Sequence, residues 1–435
     1  MTTGPDPTGS RIHQLIRELY PICRSITGDG FRRTLRHLQD RIELTTHEVP
    51  SGTKVFDWTV PKEWNIRDAY IKDPKGHRVV DFQRSNLHVV SYSIPVHRTI
   101  HLQELRPHLH TLPEHPDWIP YRTSYYEETW GFCLSHRQLL ELEDGEYEVC
   151  IDSTLEAGHL TYGECYLAGD SSHEVLISCH SCHPSLCNDN LSGMGVAVAL
   201  AQHLSQGPRR YSYRFLFIPG TIGSITWLAR NESTISNIKH GLLLSCLGDA
   251  GASTYKMSRR GNALIDRAAK NVLEHSGDPY SILEFVPYGY DERQFCSPGF
   301  DLPLGCFMRT PNGRYPEYHS SADNLDLVHP EYLANSFEKC VKIISVLELD
   351  DCFINLNPKC EPQLGRRGIY HGLRGQTDLP DRELDLLWVL NLSDGNHTLL
   401  DIAERAHTAF DRIHEAAQTL LRHGLLERSH PRKGD

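Results

Sequence analysis

The segment from Cys179 to Gly193 holds the side chains with the most chemical potential in this chain. Its fifteen residues include two histidines, three cysteines and one aspartate. The apolar run Val175–Ile177 precedes them, and a helix-like stretch from Gly193 to Leu204 follows. Side chains of metal-binding type at the end of a buried strand, with an acidic turn opening a helix, are typical of metal sites in α/β enzymes. The sequence therefore predicts a metal site here.

Further candidate ligands follow other predicted strands. Asp249 comes after the apolar run 242–247, and His319 lies in a polar segment that spans 315–324. Together with His180 and Asp189 they form a mixed set of imidazole and carboxylate groups, which suits Zn²⁺ or a similar divalent ion. An open coordination position would make such an ion catalytic.

Some of these residues have other interpretations. His183 could be the ligand instead of His180, or together with it, because Pro184 makes the following turn rigid. Asp189 could serve only as a helix N-cap. Cys182 and Cys187 could bind zinc as thiolates, but no second cysteine pair completes a structural zinc site, so buried packing is the better interpretation.

The order of elements predicts an α/β fold with a mostly parallel sheet sandwiched by helices. Residues 10–45 have the pattern of two helices, and residues 55–165 contain short alternating runs, including Leu87–Tyr92, that indicate a β-rich subdomain. From 166 to 350 strands and helices alternate, which favours parallel pairing. The expected elements are strands 174–179, 213–218, 241–247 and 302–308 and helices 193–205, 222–230, 261–274 and 331–348.

The C-terminal part resembles a winged helix. Three short helical patterns and a closing Gly424–Arg428 follow a linker rich in Pro, Gly and Arg. Residues 366–435 carry 10 Lys/Arg and 11 Asp/Glu, which gives no basic surface for phosphate, so a packing or interaction module is favoured over a DNA reader. The predicted domains are 1–54 with 166–356 (catalytic), 55–165 (inserted, β-rich) and 375–435 (winged-helix-like).

Composition excludes several classes of protein. The 435 residues are 39% hydrophobic and 23% charged, without an apolar run of about 20 residues that would span a membrane. A net charge of −12 argues against a general nucleic-acid binder. The odd number of cysteines, 13, and the absence of a visible export signal favour reduced thiols in the cytoplasm.

Several motifs together resemble the zinc aminopeptidases of the M28 type. They are Cys-His-Pro-Ser-Leu, Asn-Asp-Asn-Leu-Ser-Gly, Thr-Ile-Gly-Ser, Asp-Glu-Arg-Gln-Phe and Tyr-His-Ser-Ser-Ala-Asp, and they are most similar to bacterial aminopeptidase-like proteins with an inserted β domain and a C-terminal winged helix. The resemblance covers about residues 170–350 and the N-terminal helices. The resemblance implies that His180 and Asp249 bind one ion, that His319 binds a second, and that the Asp189 carboxylate bridges the two. It also implies that Cys182 stands in place of an orienting Asp. Tyr318 would stabilise the oxyanion, and Asp323 would be a hydrogen-bond partner of His319.

The chain departs from that family at its glutamate pair. Gly220 stands at the general-base position and Thr221 at the second-metal position. A glycine takes no proton, and a neutral hydroxyl is a poor anchor for a divalent ion, so one zinc ion is favoured over two. Glu317 and Glu292 are equal candidates for the missing base; Glu317 could instead pair with an arginine, and Glu292 with Arg293.

The sequence thus predicts a zinc-dependent, aminopeptidase-like hydrolase that cleaves an amide or related acyl bond of a small or peptidic substrate. The alternative is a catalytically altered or inactive relative that acts as a binding or scaffold module. Neither nucleic acid nor membrane is an expected partner. A homo-oligomer could form through the inserted or the C-terminal domain.

Overall fold

The computed structural model describes residues 7–369 and 381–429. These residues form two compact units. The first unit contains the described residues up to 261 together with 281–338, and the second contains 262–280 and those from 339 onward. Every predicted site residue lies in the first unit.

The strands are, in chain order, β1 Thr45–Pro50, β2 Lys54–Val55, β3 Trp58–Thr59, β4 Glu63–Lys72, β5 Arg78–Asp81, β6 Val96–His101, β7 Leu109–His110, β8 Phe132–Cys133, β9 Glu146–Glu156, β10 His159–Leu167, β11 Glu174–His180, β12 Ser212–Ile218, β13 Ile238–Leu244, β14 Ser253–Lys256, β15 Tyr280–Leu283, β16 Leu304–Met308, β17 Cys352–Asn355, β18 Asp394–Thr398 and β19 Leu426–Arg428. The α-helices are α1 Thr8–Leu19, α2 Asp29–Gln39, α3 Leu102–Leu105, α4 His136–Leu140, α5 Gly193–Leu204, α6 Ile222–Asn231, α7 Leu264–Glu274, α8 Glu292–Phe295, α9 Pro330–Leu349, α10 Asp381–Leu392, α11 Leu399–Arg405 and α12 Phe410–Arg422.

An eight-stranded sheet organises the candidate site. Its order is β1-β10-β12-β11-β13-β16-β14-β15, and the four central strands β12, β11, β13 and β16 pair in parallel. Strands β1, β10 and β14 pair antiparallel toward the edges. Every residue of β11 is buried, as expected for a central strand covered on both faces. The predicted α/β class with a large central sheet is confirmed, with antiparallel strands added at its edges.

Two predicted strands differ from the structure. The sequence places a strand over 241–247, whereas β13 ends at Leu244, because Cys246 has a left-handed φ of 51° that an extended strand does not accommodate. The run Leu87–Tyr92 is a short 3-10 turn at Asn86–His88 followed by loop, and Tyr92 has φ 73°. Side-chain alternation alone does not reveal such backbone turns.

A second sheet lies within the β-rich region. Strands β5, β4, β9 and β6 pair antiparallel in that order, and β9 is the long central partner of both β4 and β6. Buried and half-buried positions alternate along Tyr147–Ser153 of β9, which is the pattern of a strand with one face on the core. Arg32 of α2 anchors the start of β4 by pairing with Glu63 in a two-pronged contact of 2.6 and 2.8 Å.

The second unit contains helices α7, α10, α11 and α12 and the antiparallel sheet β18-β17-β19. This unit also includes α7, which lies outside the predicted domain 375–435. Arg267 of α7 pairs with Asp401 and Glu404 at 2.6 Å each, and the Asn271 amide bonds Thr408 and Phe410. Among the described residues no helix is both long and apolar enough to cross a membrane.

Candidate metal centre

The carboxyl end of β11 carries the two histidines of the opening motif. His180 is the last residue of the strand, and His183 follows in a loop before the distorted helical turn Cys187–Ser192. His180, His183 and Asp189 are all buried. Carboxyl ends of parallel strands are where open α/β sheets form their sites, so the sheet explains the position of this cluster.

Three imidazoles converge on one carboxylate. His180 Nε2 lies 2.7 Å from Oδ1 of Asp189, and His319 Nε2 lies 3.0 Å from Oδ2 of the same residue. His183 Nδ1 lies 3.4 Å from that Oδ2, outside hydrogen-bond geometry. His319 and Asp189, which are 130 positions apart in the sequence, therefore meet in this cluster.

The charge state of Asp189 follows from these neighbours. Burial alone would raise the pKa of Asp189, but the electrostatic effect of the adjacent His183 and His180 imidazoles, together with the hydrogen bond to His180, holds that pKa well below the usual aspartate value. Asp189 is fully buried, so an unpaired carboxylate would be costly there. The site thus keeps an ionised carboxylate between basic ligands.

A divalent metal ion fits this donor set. His180, His183 and Asp189 each offer one ligand atom, and these three atoms all lie within 4.8 Å of one another. His183 Nδ1 is a buried nitrogen without a hydrogen-bond partner. Two imidazoles and a carboxylate match the ligand preferences of zinc, and an orphaned buried nitrogen is what a missing ligand bond would leave.

A layer of hydrogen bonds holds the Asp189 loop in place. The Asp323 carboxylate accepts from the backbone N–H groups of Asn188 (2.5 Å) and Asp189 (3.0 Å), and from the Tyr315 hydroxyl (3.1 Å). Burial raises the pKa of Asp323 to about 7. The resemblance assigns Asp323 to His319, whereas the structure places it under the loop that presents Asp189.

Asp249 also lies in this supporting layer. Its Oδ2 accepts from the Asn188 amide at 2.8 Å, and its Oδ1 accepts from the Thr310 hydroxyl at 2.7 Å and from Gly251 N at 2.6 Å. The structure does not bring Asp249 into the group of His180, His183 and Asp189. Both of its oxygens are used in fixing the loops after β13 and β16.

The β-rich region contributes directly to the site. Tyr121 N donates to His319 O at 2.7 Å, and Ser321 N donates to Ile119 O at 2.8 Å, so the two loops pair like strands. The Tyr121 ring stands edge-on to His183 and His319, with centroids 5.2 and 5.1 Å away. His319 has a φ of 55°, a conformation disfavoured for a residue with a side chain, and this pairing helps to hold it.

Tyr318 and Glu317 are the two residues that precede His319 in the chain. The Tyr318 ring stacks on the His319 ring at 3.9 Å and 11°. The Glu317 carboxylate is half-buried, and the described part of the chain offers it no hydrogen bond or ion pair. Glu317 is therefore free to contact a ligand, and the alternative of a pair with Arg314 or Arg309 is not formed.

Glu292 lies elsewhere, in a buried ion pair. Its Oε1 accepts from Lys256 Nζ at 2.8 Å and its Oε2 accepts from Tyr290 N at 2.9 Å. Lys256 also donates to Tyr288 O at 2.7 Å. Both Glu292 oxygens thus shape the 288–292 loop, and the structure does not bring this carboxylate to the histidine cluster. Its partner is Lys256 and not Arg293.

Tyr290 is a second site residue, beside Tyr121, that the sequence alone does not reveal. Its ring lies 3.9 Å from the His180 ring, and its hydroxyl is 3.4 Å from His183 Nε2 and 3.7 Å from Cys182 Sγ. A Cβ atom on Gly220 would fall 1.9 Å from Tyr290 Cε1, so the tyrosine fills the space next to the vacant general-base position. The signal available beforehand is the glycine itself, which leaves room for another side chain.

The fold and the buried cluster define the class of protein. The structure is similar to a zinc aminopeptidase from Bacillus subtilis (TM-score 0.57, 13% identity, 78% of this chain and 94% of that one) and to an M28 peptidase precursor from Shewanella amazonensis (TM-score 0.53, 12% identity, 79% and 94%). At such identities the likeness shows the fold alone. The chain has the M28 aminopeptidase-like fold, as its sequence resemblance predicts.

The family can be stated more narrowly. A family model described as a domain of unknown function, DUF4910, matches residues 13–350. A second model, described as a winged helix-turn-helix, matches residues 351–428. The chain belongs to this DUF4910 family and carries a C-terminal winged helix. A Clostridium acetobutylicum protein, provisionally named a polysaccharide biosynthesis protein with aminopeptidase-like domain, is 53% identical over 97% of this chain and 96% of its own length. A crystal structure from the same organism, provisionally described as a peptidase, has a TM-score of 0.93 at 52% identity, with coverage of 97% and 96%.

Proposed function

We propose that this protein is a zinc-dependent hydrolase that cleaves an amide or related acyl bond. The observation that carries the proposal is the convergence of His180, His183 and His319 on the buried Asp189 carboxylate. A site without function has no physical reason to keep a buried carboxylate among three imidazoles. The M28-like fold and the peptidase description of the similar crystal structure support the same reaction class.

One zinc ion is favoured over two. His180, His183 and Asp189 would hold it, and His319 would be a further ligand or a partner of Asp189. A bound zinc ion supplies Lewis-acid chemistry, which polarises a carbonyl group and makes water a stronger nucleophile. Thr221 is a poor second anchor, and Asp249 is engaged with Asn188 and Thr310.

The remaining roles fall to residues beside His319. The Tyr318 phenol would donate a hydrogen bond to the oxyanion that develops on the substrate carbonyl. The Glu317 carboxylate, which has no partner among the described residues, would accept a proton from water and pass it to the leaving amine. Glu292 is the weaker candidate for this role, because Lys256 and Tyr290 N use both of its oxygens.

The substrate class is proposed from the relative. The Clostridium acetobutylicum protein bears a name that refers to polysaccharide biosynthesis. We propose that this chain acts on a small amide-bearing precursor in such a process, and that a peptide is the second possibility. Tyr121 and Tyr318, which pack on the site histidines, would offer an aromatic wall to either ligand.

A binding protein without catalytic activity is the second candidate. Gly220 at the general-base position favours it, because Tyr290 occupies the adjoining space and excludes a carboxylate there. In that case the histidine cluster would bind a ligand or ion without turnover. The two candidates differ in whether purified protein releases product.

The winged helix would serve as a packing or interaction module. Residues 351–428, which match the winged-helix description, carry 9 Lys/Arg and 12 Asp/Glu, a net charge of −3. Duplex DNA requires a basic face, which this composition does not provide. We also propose that the chain self-associates through this module or through the β-rich region.

Elemental analysis followed by an amine-release assay tests the proposal. About one zinc per chain is expected, lost in Asp189→Ala and His180→Ala and kept in the matched surface control His77→Ala, whose side chain is 75% exposed. Amine release from acyl-amide, N-acyl amino sugar and aminoacyl substrates should require the metal. Metal-free wild-type protein after growth with zinc would refute the metal site, and bound zinc without turnover on any substrate would favour the binding protein.

A further inference from the structure

The Tyr290 hydroxyl lies where it can act on one of the candidate ligands. It is 3.4 Å from His183 Nε2 and 3.4 Å from Gly220 O. The other ring nitrogen, His183 Nδ1, faces Asp189 Oδ2 at 3.4 Å without a hydrogen-bond partner. The two nitrogens of His183 therefore have different surroundings, with the phenol on one side and the carboxylate on the other.

The chemistry of the acceptors sets the direction of these hydrogen bonds. A carbonyl oxygen only accepts, so the Tyr290 O–H donates to Gly220 O. The phenol oxygen can then accept from His183 Nε2–H at 3.4 Å, and the Cys182 thiol, at 3.7 Å, is a weaker donor. A neutral imidazole with its proton on Nε2 has a free lone pair on Nδ1, which is the form that binds a metal.

The loop around Tyr290 is built to hold this ring. Glu292 Oε2 accepts from Tyr290 N at 2.9 Å and Lys256 neutralises Glu292, while Asp291 Oδ1 accepts from the Ser224 hydroxyl at 2.7 Å. Gly289 has a φ of 157° and no room for a Cβ, which would lie 1.9 Å from Glu292 Oε1. A side chain fixed on both flanks can hold a partner in one orientation.

We propose that Tyr290 is a positioning residue: its hydroxyl oxygen accepts a hydrogen bond from His183 Nε2–H, so that the lone pair of His183 Nδ1 faces Asp189, where it would help to hold the proposed ion. The inference rests on the proposed metal site and deepens it. Tyr290 thus fills the space beside the missing glutamate and gives His183 an orienting partner. Histidine ligands of metals generally donate their second N–H to such a group.

Metal affinity measures this role. Zn²⁺ is titrated against a chromogenic chelator into apo wild-type protein and into Tyr290→Phe, which keeps the ring and removes the hydroxyl. The affinity should fall about 10-fold, the lower end for loss of such a partner. The visible spectrum of the Co²⁺-loaded protein should also change. Tyr288→Phe is the matched control, because that side chain is on the same loop and 80% exposed.

Two further measurements decide between outcomes. In the His183→Ala background, Tyr290→Phe should have no additional effect on Zn²⁺ affinity. If Tyr290→Phe lowers the affinity equally in that background, or leaves it unchanged in the wild-type background, the inference is overturned while the metal site stands.

The position of the His183 proton can be measured in metal-free protein by long-range ¹⁵N–¹H NMR of the imidazoles, with the His183 signal assigned as the peak lost in His183→Ala. His183 should be protonated on Nε2 in wild type and should be a mixture of the two tautomers in Tyr290→Phe. A proton on Nδ1 in wild type overturns the role of Tyr290 even if no metal binds, whereas absence of metal binding alone refutes the proposed function.

Discussion

Tyr290 stands in the space that any side chain at position 220 would need. A Cβ atom on Gly220 would lie 1.9 Å from Cε1 of Tyr290 and 2.7 Å from its hydroxyl oxygen. Real carbon atoms do not approach so closely, so the glycine and the tyrosine depend on each other. The family resemblance places a glutamate at this position, and this chain has an aromatic ring beside it instead.

Gly220→Ala should therefore destabilise the protein through this contact. Overpacking of a well-filled interior costs about 1–3 kcal/mol. The cost should be much smaller in a Tyr290→Ala background, because the new methyl group then enters vacated space. Thermal unfolding of the two single variants and the double variant measures the coupling. Equal costs in both backgrounds would contradict the contact.

Asp291 should make stability depend on pH. Burial raises the pKa of Asp291 to about 7, against a smaller opposing effect from the Ser224 hydrogen bond. The folded state therefore holds a proton that the unfolded state loses near its lower pKa, so stability is full in acid and is lost as pH rises toward about 7. This is the contribution of Asp291 alone, and by linkage its loss amounts to at most about 4 kcal/mol.

Asp291→Asn should remove that loss. The amide oxygen can still accept from Ser224, and no charge is buried at high pH. The variant and wild type should have similar stability near pH 4, and the variant should be more stable above pH 7. Chemical denaturation across this range measures it, with the exposed Asp326→Asn as control. A variant less stable than wild type at pH 8 would be inconsistent with a raised pKa.

Glu317 and Glu292 should respond differently to the same substitution. Glu317→Gln leaves the described contacts intact, so folding should be unchanged while turnover falls about 100-fold, the scale of lost acid–base catalysis. Glu292→Gln leaves Lys256 buried without its counter-charge, which costs about 3–5 kcal/mol. Melting temperature and amine release of both variants separate these effects. Full activity in Glu317→Gln would exclude it as the proton acceptor.

Tyr121 should couple the β-rich region to the site. Tyr121→Ala removes a ring that is 3% exposed and touches His183 and His319, so a loss of about 3–5 kcal/mol is expected together with weaker Zn²⁺ binding. Tyr121→Phe loses only the 2.9 Å bond to the Tyr125 hydroxyl, worth about 1 kcal/mol. Thermal unfolding and zinc titration measure both, with the exposed Tyr126→Ala as control. Unchanged zinc affinity in Tyr121→Ala would separate this region from the site.

Local patterns predict much of the fold, because hydrophobic periodicity marks where β11, α5 and β12 lie. The predicted strand ends and the family resemblance also bring His180, Asp189 and His319 to one site, and the structure places them in contact. The sequence does not show that Asp249 and Asp323 support loops. An aspartate whose carboxylate accepts hydrogen bonds from a loop looks the same in a sequence as an aspartate that binds a metal. Nor does it show Tyr290 or Tyr121, whose positions depend on contacts between distant loops.

The winged helix should not bind duplex DNA. Its third helix, α12, exposes Asp411 and Glu415, and its Arg412 is paired with Asp385 at 2.8 Å and Asp381 at 3.1 Å. Because residues 351–428 carry a net charge of −3, little counterion release is available to drive binding. Fluorescence anisotropy of the full chain with a duplex should therefore show no change up to about 10 µM in about 50 mM salt. The variant Asp411→Lys/Glu415→Lys supplies two positive charges on the same face and should gain weak, salt-sensitive binding. Micromolar, salt-sensitive binding by the wild type would instead show that the fold presents a basic face that its composition does not predict.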